Sequence, residues 1–119
     1  MTTYAVKWRE PGGETFVGRL SLDPRTLAFD GRARGGKGTS VQRRFAHESL
    51  RAVRIGRGTE RLDGRPALVV ERPDGDYLVA GAGTGAPVVG EILDRLVAFH
   101  VAPAEDLRLT RSRSVVHPG

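Results

Sequence analysis

The sequence of 119 residues contains no cysteine, few aromatic residues and no long apolar run. Without cysteine there is no disulfide framework, no thiolate nucleophile and no thiolate metal ligand. Residues 1–13 lack an apolar run after a basic start, and no window approaches the ~18 apolar residues of a membrane span. We therefore expect a cytoplasmic protein without a transmembrane segment.

Acidic residues are scarce in one part of the chain, and the positive charge collects there. The chain carries 19 basic and 14 acidic residues, a net charge of +5. Residues 31–57 hold most of the excess, because Glu48 is the single acidic residue among them. Arginine richness alone is weak evidence of function, since a coding bias also produces it. Its concentration in one segment is the more informative feature. Such a charge run is commonly a solvated surface loop, and the alternative that it suggests is an anion-binding surface.

Period-two alternation of apolar residues predicts seven short strands between residue 3 and about residue 82. Tyr4, Val6 and Trp8 share one face of the first strand, and Leu27 and Phe29 share one face of the third. Val53 and Ile55 are expected on the inner face of the fifth strand, and "RGTERLDG" is expected to be a polar connection with an Asp-Gly turn signal. Turn sequences such as "DPR" and "PDG" separate the strands, since proline and glycine favour the backbone angles of tight turns. The pattern is typical of an antiparallel meander.

The periodicity changes after residue 87. Val89, Ile92, Leu93, Leu96 and Phe99 form one apolar stripe at helical spacing. A helix with a single apolar face must bury that face, so we expect it to cap the open end of a bent sheet. The residues after 102 have few apolar side chains and are expected to be a loose tail.

Four segments together resemble a known superfold. They are "GRLSLDPRTLAFDG", "FAHESLRAVRIGRG", "GRPALVVERPDGDYLVAG" and "VVGEILDRLVAF". In that order they resemble the second and third strands, the fourth-to-fifth corner, the last two strands and the capping helix of one superfold. This superfold is the pleckstrin-homology-like (PH-like) domain of the bacterial and GRAM type. The resemblance implies a mainly β domain over residues 1–102, with residues 103–119 as a tail. Its fold is a bent antiparallel seven-stranded sandwich or barrel capped by one C-terminal helix.

The resemblance also implies a binding or interaction module without enzymatic activity. Lipid-binding members usually carry a lysine on strand one and a Lys/Arg-x-Arg pattern on strand two. Lys7 and Arg19 match the first positions, but Ser21 stands where the last basic residue is expected, and Glu10 and Glu14 lie in the loop between the strands. This departure favours a protein or peptide partner over an anionic lipid headgroup, which stays an alternative.

Two glycine-rich stretches resemble nucleotide-binding motifs. Residues 81–86, "GAGTGA", match G-x-G-x-x-A, but they follow an all-β body and leave no room for further βαβ units. Residues 31–37 begin like a phosphate loop, but Gly38 occupies the position where magnesium binding needs Ser or Thr, and a strand follows. We interpret both as turns. A nucleotide-binding protein or enzyme that uses these loops is the alternative.

The strongest binding hypothesis concerns the loop between the third and fourth strands and its strand arms. Arg32, Arg34, Lys37, Arg43 and Arg44 are the predicted anion contacts, on a loop with four glycines. Arg43 shares a strand face with apolar residues in this pattern. The sequence leaves open whether it lies at the rim of the sheet or is turned outward by a bulge.

The remaining polar residues do not form a catalytic or metal site at sequence level. His47, Glu48 and Ser49 are adjacent, and neighbouring residues on a corner point in different directions, so a turn is the simpler interpretation. His100 and His117 show no ligand spacing, and we predict no metal and no cofactor. The basic segment lacks an aromatic platform, which argues against nucleic acid. A self-assembling scaffold stays open, because open sheet edges can pair with each other.

Overall fold

The computed structural model describes residues 1–34, 38, 40–83 and 88–99 of the chain. The predicted tail at 103–119 lies outside these residues. The described elements are nine strands, one 3₁₀ turn at His47–Ser49 and one α-helix. Their bounds are β1 Thr2–Arg9, β2 Thr15–Leu22, β3 Thr26–Ala33, β4 Val41–Ala46, β5 Ala52–Ile55, β6 Arg61–Leu62, β7 Arg65–Pro66, β8 Leu68–Arg72, β9 Gly75–Gly81 and α1 Val88–Ala98.

Seven strands form one curled antiparallel sheet in the order β4-β3-β2-β1-β9-β8-β5. Every ladder among the described strands is antiparallel, and β6 and β7 form a separate short hairpin. Helix α1 packs against β5, β8 and β9. The predicted fold class, mainly β with a seven-stranded bent antiparallel sheet and one C-terminal helix, is confirmed. Within the described ranges, no helix is long and apolar enough to cross a membrane.

The core fills the concave side of this sheet. Trp8 is fully buried and stacks between Phe16 and Phe29, with ring centroids 5.3 and 4.8 Å away. Helix α1 closes the core with Ile92 and Leu96, both fully buried. These residues are the apolar positions that strand and helix periodicity select, because burial of that surface is the main favourable term in folding.

A pair of glycines makes room for the central tryptophan. Gly18 and Gly31 are cross-strand partners on β2 and β3. A Cβ atom on Gly31 would lie 2.3 Å from the carbonyl oxygen of Val17 and 2.8 Å from Cη2 of Trp8. Since both separations are far below van der Waals contact, only glycine fits there, and the two strands approach closely beneath the indole ring.

Two features differ from the sequence pattern. Ile55 was expected on the inner face of β5, but it is the last residue of this edge strand and its side chain is 39% exposed. The segment expected to be only a polar connection forms the β6–β7 hairpin. Leu62 of this hairpin is buried against Ala67 and Ala80, on the side of the sheet opposite the main core.

Candidate functional site

The sheet face turned away from the main core, called here the outer face, carries a group of cations on β1–β4. Alternation along each strand directs these side chains outward, and the register aligns them in rows. Lys7 is the partner of Val17, which is in turn the partner of Arg32, and Arg19 is the partner of Asp30. Four of the outward cations of these strands are called the cation face: Lys7, Arg19, Arg32 and Arg44. Arg9 at the end of β1 shares this side of the sheet, and its Nε donates to Oγ1 of Thr15 at 3.4 Å.

Three of these cations are unpartnered among the described residues. The side chains of Arg19, Arg32 and Arg44 make no salt bridge and no side-chain hydrogen bond with any residue in the described ranges. Val17 lies between Lys7 and Arg32 and is 38% exposed, an unusual degree for a large apolar side chain in this protein. The surface therefore offers the guanidinium groups of Arg19 and Arg32 beside an exposed apolar side chain, with Arg44 farther along the sheet. Guanidinium groups bind carboxylate and phosphate groups well.

The five residues predicted to contact an anion are divided by the structure. Arg32 and Arg44 lie on the cation face. Arg34 follows β3 and takes part in a salt bridge, and Arg43 belongs to the inner side of β4. Lys37 lies outside the described residues. The four described residues are therefore a pair of exposed arginines on the strands and two arginines that contact carboxylates, and their contact with an anion stays a prediction.

Arg43 is held at the rim of the sheet by Glu10. Its Nε and Nη2 donate to the two carboxylate oxygens of Glu10 at 2.8 and 3.2 Å, a bidentate arrangement. The hydrogen bonds that Arg43 donates to Glu10 raise the pKa of its guanidinium above its ordinary value. The register of Arg43 with Phe29 on β3 is continuous, so no bulge turns it outward. Of the two positions that the sequence left open, the rim is the one observed.

Arg54 of β5 also lies on the outer face, but unlike Arg19, Arg32 and Arg44 it is surrounded by carboxylates. Its Nη1 and Nη2 each donate to Glu60 at 2.5 Å, and its Nε donates to Glu71 at 2.9 Å. Asp76 lies 4.0 Å from Nη2. The hydrogen bonds from Arg54, with a smaller contribution from the backbone amide of Arg57, lower the pKa of Glu60 to about 2. All three guanidinium nitrogens of Arg54 therefore donate to carboxylates of the fold, which indicates a structural role.

The sequence gives no signal for a third polar feature, a buried histidine. His47 is 8% exposed, stacks on Phe99 with ring centroids 5.5 Å apart, and has no hydrogen-bond partner for either ring nitrogen within the described part of the chain. It lines a cleft of about 600 Å³ with Arg25 and Thr26. A lone histidine has no periodicity, so sequence reasoning treated His47 only as a corner residue.

The β2–β3 turn beside this cleft is built by Asp23. Its carboxylate accepts hydrogen bonds from the backbone amides of Arg25 and Thr26 at 2.8 and 2.7 Å and from the Thr26 hydroxyl at 2.7 Å. These bonds, first that of the Arg25 amide, lower the pKa of Asp23 to about 2. Asp23 is thereby committed to the turn and is not available to a ligand.

The glycine motif at residues 81–86 begins at the end of an antiparallel strand. Gly81 is the last residue of β9 and pairs with Val6. A dinucleotide-binding unit needs parallel strands around its glycine loop, and the described ladders at this point are antiparallel. Residues 84–87 lie outside the described residues. Among those that are described, no group of three potential ligands is arranged to hold a metal ion.

No protein-family model matches the chain, and no curated protein matches it in a search by sequence. The function must therefore be argued from the surface itself.

Proposed function

We propose that the chain is a PH-like domain that acts as a non-enzymatic binding module, and that its partner is an acidic protein segment bound on the cation face. The curled seven-stranded antiparallel sheet with one C-terminal helix supports the PH-like assignment. The observation that carries the binding proposal is the group of unpartnered arginines, Arg19, Arg32 and Arg44, on one side of the sheet.

The geometry of the surface favours an extended protein segment as the ligand. The cations are distributed over three adjacent strands. Arg19 and Arg32 lie near the exposed Val17, whereas Arg44 lies farther along the sheet, opposite Ala28, so their charges are spread along a surface instead of converging on one point. A chain with several carboxylates contacts such a surface at many points, whereas a single headgroup contacts one. An exposed apolar residue within a charged surface also suits a protein partner.

Binding of a second copy of the chain is less favoured by the edge of the sheet. The edge strand β4 carries Arg43 and Arg44, and charged residues on an edge oppose pairing with a like strand. The carbonyl of Gln42 also accepts a hydrogen bond from Nη1 of Arg43 at 3.1 Å. An edge carbonyl that is already bonded offers less to an incoming strand.

The proposal is tested with a fluorescein-labelled hexaglutamate peptide, whose binding is measured by fluorescence anisotropy at physiological ionic strength. The double variant Arg32→Glu/Arg44→Glu should weaken binding by about tenfold or more, because two attractive contacts become repulsive. The matched control is Arg51→Glu/Arg95→Glu, with the same change in net charge at exposed residues away from the cation face. The control should change the affinity by less than about twofold.

Two results would contradict the proposal. Equal weakening by both double variants would mean that only the net charge matters and that the cation face is not a site. Binding to vesicles of phosphatidylserine and phosphatidylcholine, together with no binding to hexaglutamate, would assign the surface to lipid headgroups instead of a protein.

A further inference from the structure

The β6–β7 hairpin places a carboxylate of the chain itself at the border of the cation face. The turn residues Asp63 and Gly64 have φ values of 51° and 79°, the left-handed pair that a two-residue hairpin turn requires. The hairpin is anchored by Leu62, which is buried against Ala67 and Ala80. Its position therefore depends on apolar packing and on the turn, and the Asp63 side chain is free to serve another purpose.

Asp63 bridges two cations that come from different strands. One carboxylate oxygen lies 2.5 Å from Nζ of Lys7 on β1, and the other lies 3.0 Å from Nη2 of Arg34. Arg34 is held beside β2 by a hydrogen bond from its amide to the Thr15 carbonyl at 2.9 Å. Hydrogen bonds from Lys7 first and Arg34 second lower the pKa of Asp63, so the bridging group is a carboxylate. Lys7 and Arg34 thus already form a two-point receptor for a carboxylate.

We propose that Lys7 and Arg34 are a carboxylate-binding site for the acidic partner, and that Asp63 is a built-in competitor that occupies this site when the partner is absent. The inference rests on the proposed function, since it assigns Lys7 and Arg34 to the same ligand as the neighbouring arginines. The side chains of Asp63 and Arg34 are 35% and 51% exposed. Exposed ion pairs contribute little stability, so the Asp63 contacts are weak enough to be exchanged.

The partner displaces Asp63 because it makes more contacts than Asp63 does. A carboxylate of the partner takes the place between Lys7 and Arg34, and further carboxylates reach Arg32, which lies in the same row as Lys7. Linking several weak contacts in one segment raises the overall affinity without any single strong contact. A ligand with a single carboxylate gains little at this site, because its contacts with Lys7 and Arg34 only replace those of Asp63. Asp63 therefore sets a minimum number of carboxylates for tight binding.

The experiment compares Asp63→Asn with Asp74→Asn in the same hexaglutamate assay. Asparagine is well tolerated at positive φ, and the amide keeps the size of the side chain, so the hairpin should stay in place. Asp74 is the matched control, because it is an exposed turn residue paired with Arg72, away from Lys7 and Arg34. Asp63→Asn should tighten binding by about three- to tenfold relative to Asp74→Asn, since it removes the competitor at the same net charge.

Equal affinities of the two variants would overturn the inference. If the wild-type affinity still depends on Arg32 and Arg44 in that case, the proposed function stands and only the competitor role of Asp63 is wrong. If no variant binds hexaglutamate, the inference and the proposed function both fail.

A second measurement is independent of affinity. In ¹H–¹⁵N spectra, saturating hexaglutamate should move the Gly64 amide resonance of the wild type toward its position in Asp63→Asn, because the Asp63 carboxylate leaves Lys7 and Arg34. A Gly64 resonance that stays in place while the peptide saturates the cation face would show that Asp63 is not displaced.

Discussion

Arg44 and Arg54 lie on the outer face of the same sheet, on its two edge strands, and their surroundings are opposite. Arg54 on β5 contacts Glu60 and Glu71, with Asp76 nearby. Arg44 on β4 has no such contact with any described residue. The two residues are equal in type and similar in strand position, so the difference comes from the neighbouring elements. The acidic neighbours of the β5 edge contact Arg54 directly, whereas on the β4 edge Glu10 contacts Arg43 and not Arg44.

The comparison shows how to separate structural arginines from arginines that can bind a ligand. The carboxylates around Arg54 belong to the protein itself, so its contacts with Glu60 and Glu71 stabilise the folded state. At the cation face, Arg19, Arg32 and Arg44 have no carboxylate contact with any described residue, whereas Lys7 contacts Asp63. Arg34 is intermediate, since its acidic contact within the described residues is with the exposed Asp63, the residue that we propose a partner displaces.

The largest expected effect comes from the frame beneath the cation face. Gly31→Ala should destabilise the protein by about 3 kcal/mol, because the new methyl group collides with the Val17 carbonyl and with the ring of Trp8. Urea unfolding followed by Trp8 fluorescence measures the change. Gly12→Ala is the control, since a Cβ atom there meets nothing within 4 Å, and it should leave the stability unchanged. Similar stability of both variants would mean that the strands are not held close by the glycine pair.

The comparison itself is tested by the same substitution at both edges. Arg54→Met should lower the free energy of unfolding by about 1–2 kcal/mol, because it removes charged hydrogen bonds and leaves Glu60 and Glu71 facing each other. Arg44→Met should change it by less than about 0.5 kcal/mol, as exposed substitutions without partners usually do. Both are measured by urea unfolding at neutral pH. Equal losses would contradict the distinction between the two edges.

Acid should weaken the contact between Arg54 and Glu60 and so lower the stability of the folded protein. The pKa of Glu60 is lowered from 4.5 to about 2 in the folded protein. The ionised form is therefore favoured by folding, and its contribution is present above the unfolded pKa and lost as pH falls through the folded pKa. The urea midpoint should fall between about pH 4.5 and pH 2, and Glu60→Gln should make this fall shallower. Glu14→Gln, at an exposed residue of the β1–β2 turn, should keep the wild-type profile.

Much of the frame could be predicted from the sequence because apolar periodicity records burial directly. Trp8, Phe29 and Val53 were expected inside, as were Ile92 and Leu96 of the helix, and all are buried. Turn sequences predicted strand ends for a different local reason, because proline and glycine have specific backbone preferences. These are local properties, and they need no knowledge of which strands are neighbours.

The candidate site was less predictable because it depends on distant pairs. The charge run marked Arg32, Arg34, Arg43 and Arg44 as equal, yet Glu10 takes Arg43 and Asp63 takes Arg34. Sequence spacing contains no sign of either contact, since each joins separate strands or hairpins. Arg19 and Lys7 were missed as members of the surface because they come from outside the basic segment and join it only through the strand register.

The strand order also determines which ladder of the sheet costs the most loop-closure entropy. Strands β1 to β4 follow one another along the chain and pair with their sequence neighbours, so each of their ladders closes a loop of few residues. The ladder between β1 and β9 is different, because it pairs Val6 with Gly81 and encloses nearly all the strands in one loop. Loop-closure entropy grows with loop length, and contacts of high sequence separation slow folding. The junction of β1 and β9, which unites the cation face with the Arg54 edge, is therefore the entropically most expensive ladder in the sheet.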